Sequence, residues 1–143
     1  MLKTAREYIE SLRKLKLNLY LLGEKVEDWV NNPIIKPSTN AVAMTYKIAH
    51  DPKTEALAVT ESLLTGKKVN RFNSPFRSPD DMVYKIKLQR EMGQRTACCF
   101  QRCVGMDGIN ATFSTTFEID EKHGTEYHKR FRKWLEYVQE NDL

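Results

Sequence analysis

A chain of 143 residues can bury a core of its own, and that length points to one domain. Its 23 lysines and arginines against 19 aspartates and glutamates leave a formal charge of +4, spread without a basic stripe, which argues against nucleic-acid binding. No apolar run approaches the roughly 20 residues that cross a bilayer, and Met-Leu-Lys-Thr-Ala-Arg-Glu at the start lacks the apolar centre of a secretory leader.

Helix signals dominate from the first residues onward. Thr4 followed by Glu7 forms a capping box, predicting a helix over 5–16 with Tyr8, Leu12 and Leu15 inward. A short apolar piece, 19–22, meets Gly23, and the segment through Trp29 and Val30 closes at Pro33. Residues 33–37 read as an extended link, because residues before proline avoid the helical region. A second helix is expected over 40–50 on the spacing of Val42, Tyr46 and Ala49. Residues 57–72 hold a hairpin candidate turning at Thr65-Gly66, and 73–78 form a loop. Ser78-Pro79-Asp80-Asp81 is the clearest helix start, running to Gly93. A further helix is expected over 95–119, rich in small residues. The last begins near Thr125 and is expected to bury Tyr127, Phe131, Trp134, Leu135 and Val138. The fold class is mainly α.

Three cysteines, two of them adjacent, make no secreted disulfide framework, so reduced thiols in a cytoplasm fit better. Cys99 and Cys103, if helical, share one face with Cβ atoms about 5–6 Å apart. That is too wide for a disulfide, which wants about 3.5–4.5 Å, but suits two thiolates on one iron–sulfur cluster. On spacing alone, buried structural thiols are the ordinary explanation. No second cysteine pair exists to complete a zinc site. His123 and His128 lie five apart and His50 is remote, so they form no helical metal pair. Asp80 and Asp81 are explained by a helix dipole. Glu118 and Asp120 sit near a helix end, where anions are disfavoured. Gln101 and Arg102, taken by themselves, are ordinary polar positions.

Whole phrases say more. Gly23-Glu-Lys-Val-Glu-Asp-Trp-Val30, Asn40-Ala-Val-Ala-Met-Thr-Tyr46, Leu64-Thr-Gly-Lys-Lys-Val-Asn-Arg-Phe72 and Cys99-Phe-Gln-Arg-Cys-Val-Gly-Met-Asp107 follow in order, then Ser114-Thr-Thr-Phe-Glu-Ile-Asp120 and Gly124-Thr-Glu-Tyr-His-Lys-Arg-Phe131. Together they resemble the acyl-CoA dehydratase branch of the 4-hydroxyphenylacetate 3-hydroxylase family. The resemblance implies an acyl-CoA-dehydrogenase-like architecture, with residues 1–143 as its N-terminal helical domain and a middle β domain and C-terminal helical domain beyond. It implies FAD and a [4Fe–4S] cluster, with Cys99 and Cys103 as two cluster ligands and Gln101 as a catalytic residue near both cofactors. Cys98 falls outside that pattern and is expected to pack. The implied activity is a radical conversion of 4-hydroxybutyryl-CoA to crotonyl-CoA, with isomerisation of vinylacetyl-CoA. An acyl-CoA partner, a cytoplasmic location and a tetrameric homo-oligomer come with it. The chain by itself is expected to be inactive and to expose apolar surface. Two alternatives stand beside this reading: a non-catalytic truncated or assembly module, and a flavin-dependent 4-hydroxyphenylacetate 3-monooxygenase-like domain.

Overall fold

The computed structural model describes residues 2–143, and among them six α-helices and two small antiparallel hairpins make a mainly α fold. Helix α1 (Ala5–Arg13) opens as its capping box requires. The Glu7 amide donates to Thr4 Oγ1 at 3.2 Å, and Glu7 Oε2 accepts the Thr4 amide at 2.7 Å. It stops at Arg13, short of residue 16.

The apolar piece before Gly23 is a hairpin of β1 (Tyr20–Leu21) and β2 (Glu24–Lys25). Leu22 (φ +53°) and Gly23 (φ +88°) both take the left-handed region that a tight two-residue turn demands. Leucine is an unusual residue there, so the pair gave no turn signal. Helix α2 (Lys36–Lys47) starts earlier than residue 40, which corrects the extended link over 33–37. Pro37 lies in its first turn, where a missing amide donor costs nothing, and Asn32 Oδ1 accepts the Ile34 amide at 2.9 Å to set the entry.

A 3₁₀ turn (Ile48–His50) leads to α3 (Glu55–Ala58), which passes directly into β3 (Val59–Glu61). Strand β3 pairs antiparallel with β4 (Lys68–Asn70), Val59 opposite Asn70 and Glu61 opposite Lys68, so the expected hairpin forms. Gly66 sits in its loop at φ +67°. Arg71 follows, buried, with Nε donating to the Leu57 carbonyl at 2.7 Å and Nη1 paired with Asp81 at 3.2 Å. Burial pulls its guanidinium down, and Asp81 opposes the shift.

Helix α4 (Pro79–Thr96) begins where Ser78-Pro79 marks it, but runs three residues past Gly93. Helix α5 (Arg102–His123) and helix α6 (Tyr127–Glu140) fold back on one another across a short turn. The core gathers Ile48, Ala58, Phe72, Leu88, Met92 and Met106, with Phe100 closing one side. Gln139 pins α6 to the hairpin: Ser62 Oγ donates to its Oε1 at 2.6 Å, and its Nε2 donates to the Asn73 carbonyl at 2.8 Å.

The aromatic stripe of α6 is only partly buried, against expectation. Leu135 and Val138 go inside, while Tyr127 and Trp134 stay about half exposed. The facing α5 carries Gly105 and Gly108, and too few large side chains oppose the stripe to cover it. Val104, Phe117, Met82 and Ile86 are exposed as well, so apolar surface lies open on three helices. Among the described residues no helix is long and apolar enough to cross a membrane.

Candidate functional site

The expected helix over 95–119 is broken, and the break falls at the cysteines. Helix α4 ends where Ala97 enters the left-handed region (φ +52°), its amide still bonded to the Gly93 carbonyl at 2.9 Å. Residues 97–101 form a turn, and α5 begins at Arg102. Cys99 therefore stands before the helix and Cys103 inside its first turn. The shared helical face, and the Cβ spacing derived from it, do not hold. The cause is Phe100, whose ring must reach the core, where it meets Phe72 at 5.6 Å. A continuous helix through 95–119 does not bring it there.

All three thiols are free. Cys99 is exposed, and Cys103 is half-buried against the core cluster. Cys98 is exposed too, which corrects its expected packing role. Its carbonyl lies 3.0 Å from Thr96 Oγ1, so the backbone of residue 98 is tied even though its side chain is not. Gln101 is exposed at the N-terminus of α5 with φ +65°. The turn thus presents two soft thiol donors and one amide, and thiols of this kind suit iron–sulfur ligation. Among the described residues no group of three or more histidines, cysteines and carboxylates is placed to hold a metal ion.

Behind the turn, Arg102 is the residue that sequence reasoning treated as ordinary. Its guanidinium donates to Thr45 Oγ1 at 3.1 Å, Asp142 Oδ1 at 3.2 Å and the Leu143 carbonyl at 3.0 Å. It stacks 4.5 Å above the Tyr46 ring, which in turn stacks on Tyr8 at 4.7 Å. Burial raises both tyrosine hydroxyls above their ordinary range. A cleft of about 400 Å³ opens beside Arg102, walled mainly by Tyr8, Val42, Tyr46, Ile109 and Trp134. The alternation in Cys-Phe-Gln-Arg-Cys, with Phe100 in, Gln101 out and Arg102 in, was the available signal.

The other candidates have structural work. Asp120 caps the start of α6: Oδ1 accepts from Thr125 Oγ1 at 2.6 Å, and Oδ2 accepts the His128 amide at 2.8 Å. Glu118 is exposed on α5. His128 packs edge-on against Phe113 at 4.7 Å, with Nδ1 3.1 Å from Thr116 Oγ1. His50 Nε2 lies 3.0 Å from the Lys3 carbonyl.

A sequence profile described as 4-hydroxyphenylacetate 3-hydroxylase N terminal matches residues 4–143. The chain belongs to this family. It is 59% identical, over its whole length and 29% of the relative's, to 4-hydroxybutyryl-CoA dehydratase/vinylacetyl-CoA-Δ-isomerase of Clostridium aminobutyricum. It superposes with a TM-score of 0.95 and 52% identity on an oxygen-tolerant archaeal 4-hydroxybutyryl-CoA dehydratase from N. maritimus, covering all of this chain and 28% of that one. A crystal structure of a 4-hydroxyphenylacetate 3-monooxygenase oxygenase component, in complex with FAD and 4-hydroxyphenylacetate, gives a TM-score of 0.70 at 20% identity over 99% of this chain and 29% of that one. That likeness is one of fold. The chain spans under a third of the length of these relatives.

Proposed function

We propose that this chain is the N-terminal helical domain of a 4-hydroxybutyryl-CoA dehydratase, with the middle β domain and C-terminal helical domain of the architecture supplied by further polypeptide. The observation that carries the reading is 52% identity over the whole chain to the archaeal dehydratase structure, against 20% to the monooxygenase structure. The substrate class is an acyl-CoA, the product crotonyl-CoA, and the assembly a cytoplasmic homo-oligomer. The exposed apolar residues of α4, α5 and α6 are the surface the other domains and subunits would cover.

Two free thiols at the entry to α5, exposed Cys99 and half-buried Cys103, have the soft-donor chemistry that the implied [4Fe–4S] cluster takes, and this supports the ligand reading. Cys99 and Cys103 would hold it, and the remaining ligands and most FAD contacts would come from outside this chain. Cluster and flavin would supply Lewis-acid and one-electron chemistry, which a thioester needs before an unactivated β-proton can leave. The chain's own part is positional. Gln101 carries an amide donor and acceptor on an exposed residue of the turn, and in this reading would orient a substrate carbonyl or hydroxyl. Phe100 and the half-buried Cys103 pack inward against the core.

The test is a chimera in which this chain replaces the matching segment of the C. aminobutyricum protein. Anaerobic purification should yield bound iron, flavin and dehydration of 4-hydroxybutyryl-CoA. Cys99→Ala and Cys103→Ala should lower the iron content sharply and leave flavin in place. Iron content indifferent to both substitutions would sink the ligand assignment, and hydroxylation of 4-hydroxyphenylacetate with reduced flavin would favour the monooxygenase reading instead.

A further inference from the structure

Residues 100 to 103 alternate in fate. Phe100 is 6% exposed and packed on Phe72, Gln101 is exposed, and Arg102 turns inward again. The partner of Arg102, Asp142, is 1% exposed and also accepts the Lys3 amide at 2.9 Å and Asn73 Nδ2 at 3.3 Å. The guanidinium lies 4.5 Å from the Tyr46 ring centroid and 5.5 Å from that of Phe72, so it is gripped by rings as well as by oxygens. Gln101 between these two anchors holds φ +65°, a backbone state that a side-chain-bearing residue keeps only when its surroundings impose it. Phe100 and Arg102 impose it from either side.

We propose that Arg102 is a positioning residue: locked to Asp142, it fixes the first turn of α5 and thereby where Cys103 and Gln101 stand relative to Cys99. Its consequence for cofactor binding rests on the ligand reading above; its geometry does not. Three acceptors and two rings are met by one planar fork, which a lysine ammonium cannot reproduce. The lock also ties the cysteine turn to the end of α6, 40 residues away in sequence.

Iodoacetamide alkylation of the reduced 143-residue chain, free of cofactor, tests this, with exposed Cys98 as internal reference. In the parent chain half-buried Cys103 should react more slowly than Cys98 or Cys99. Arg102→Lys should raise the Cys103-to-Cys98 rate ratio about tenfold, the factor expected when a charge-assisted hydrogen bond is lost. The neutral pair Arg102→Met with Asp142→Asn separates anchoring from charge compensation, and it carries the test alone should Arg102→Lys not fold. An anchoring role predicts that the ratio stays raised in the neutral pair although its folding is sound by circular dichroism. Recovery of the parent ratio there, or an unmoved ratio in folded Arg102→Lys, overturns the proposal. The two possible failures are distinguishable, because iron retained by a Cys99→Ala chimera strikes the ligand reading, whereas an unmoved thiol ratio strikes the anchor.

Discussion

Helix α5 is entered and left through turns of opposite character. It is left through Gly124 at φ +63°, the residue for which a left-handed backbone carries no side-chain penalty. Asp120 then reaches forward to satisfy the amides of Tyr127 and His128 and the hydroxyl of Thr125. It is entered through Ala97, left-handed, and Gln101, at φ +65° and ψ −35°, both carrying side chains where φ is positive, at about 1–3 kcal/mol each. A connector under no other demand would look like the first turn. Strain kept in the second, where two thiols and an amide are displayed, fits the general rule that strained backbone gathers at working sites and is held by its surroundings.

The holding can be broken, and the largest effect should come from Phe100. Phe100→Ala empties a place against Phe72 in the core and should cost about 3–5 kcal/mol in urea unfolding. A loss below about 1 kcal/mol would mean that the turn is not moored by this ring. The strain itself is probed by exchanging the two turns' residues. Ala97→Gly should stabilise by about 1 kcal/mol, and Gly124→Ala should destabilise by a similar amount. No atom lies within 4 Å of a Cβ built at Gly124, so its cost is backbone strain alone. Equal signs for the two substitutions would erase the contrast.

The same contrast explains what could be read from the sequence. The Thr4–Glu7 box, the Ser78-Pro79 start and the hairpin over 57–72 were legible because each is a local device whose residues carry the needed geometry themselves. Gly124, which ends α5 four residues beyond the expected 119, is a device of the same local kind. Ala97 and Gln101 were not legible, since alanine and glutamine are good helix formers and nothing local tells them to turn. The instruction comes from distant residues, Phe72 receiving Phe100 and Asp142 receiving Arg102. The half-exposed Trp134 was misread for a related cause: periodicity identifies an apolar face, but not whether this chain supplies enough opposing side chains to cover it. The cysteine pair drew notice by its spacing, but that argument presumed a helix which Phe100 interrupts, so the ligand reading rests on the phrase around it.

The smallest effect separates the turns by pH. Burial works against ionisation of Asp120, but the bonds from Thr125, His128 and Tyr127 outweigh it and hold its carboxyl below the ordinary 3.8. The unfolded chain therefore takes up this proton more readily than the folded one. Its contribution to stability is present above about pH 4 and disappears as pH falls through the lowered folded-state value. Asp120→Asn keeps an acceptor but no charge, so its thermal midpoint should lie below the parent's at pH 5 and converge on it at a pH low enough to protonate the folded carboxyl. The carboxylates Glu7, Asp28 and Asp51, also held low by hydrogen bonds, titrate identically in both proteins and cancel in that difference. Residues 97–101 contain no carboxylate, so the gain from Ala97→Gly should be the same at either pH. A difference for Asp120→Asn that stayed constant across the range would show that the turn after α5 is held by shape, as the turn before it is, and not by charge.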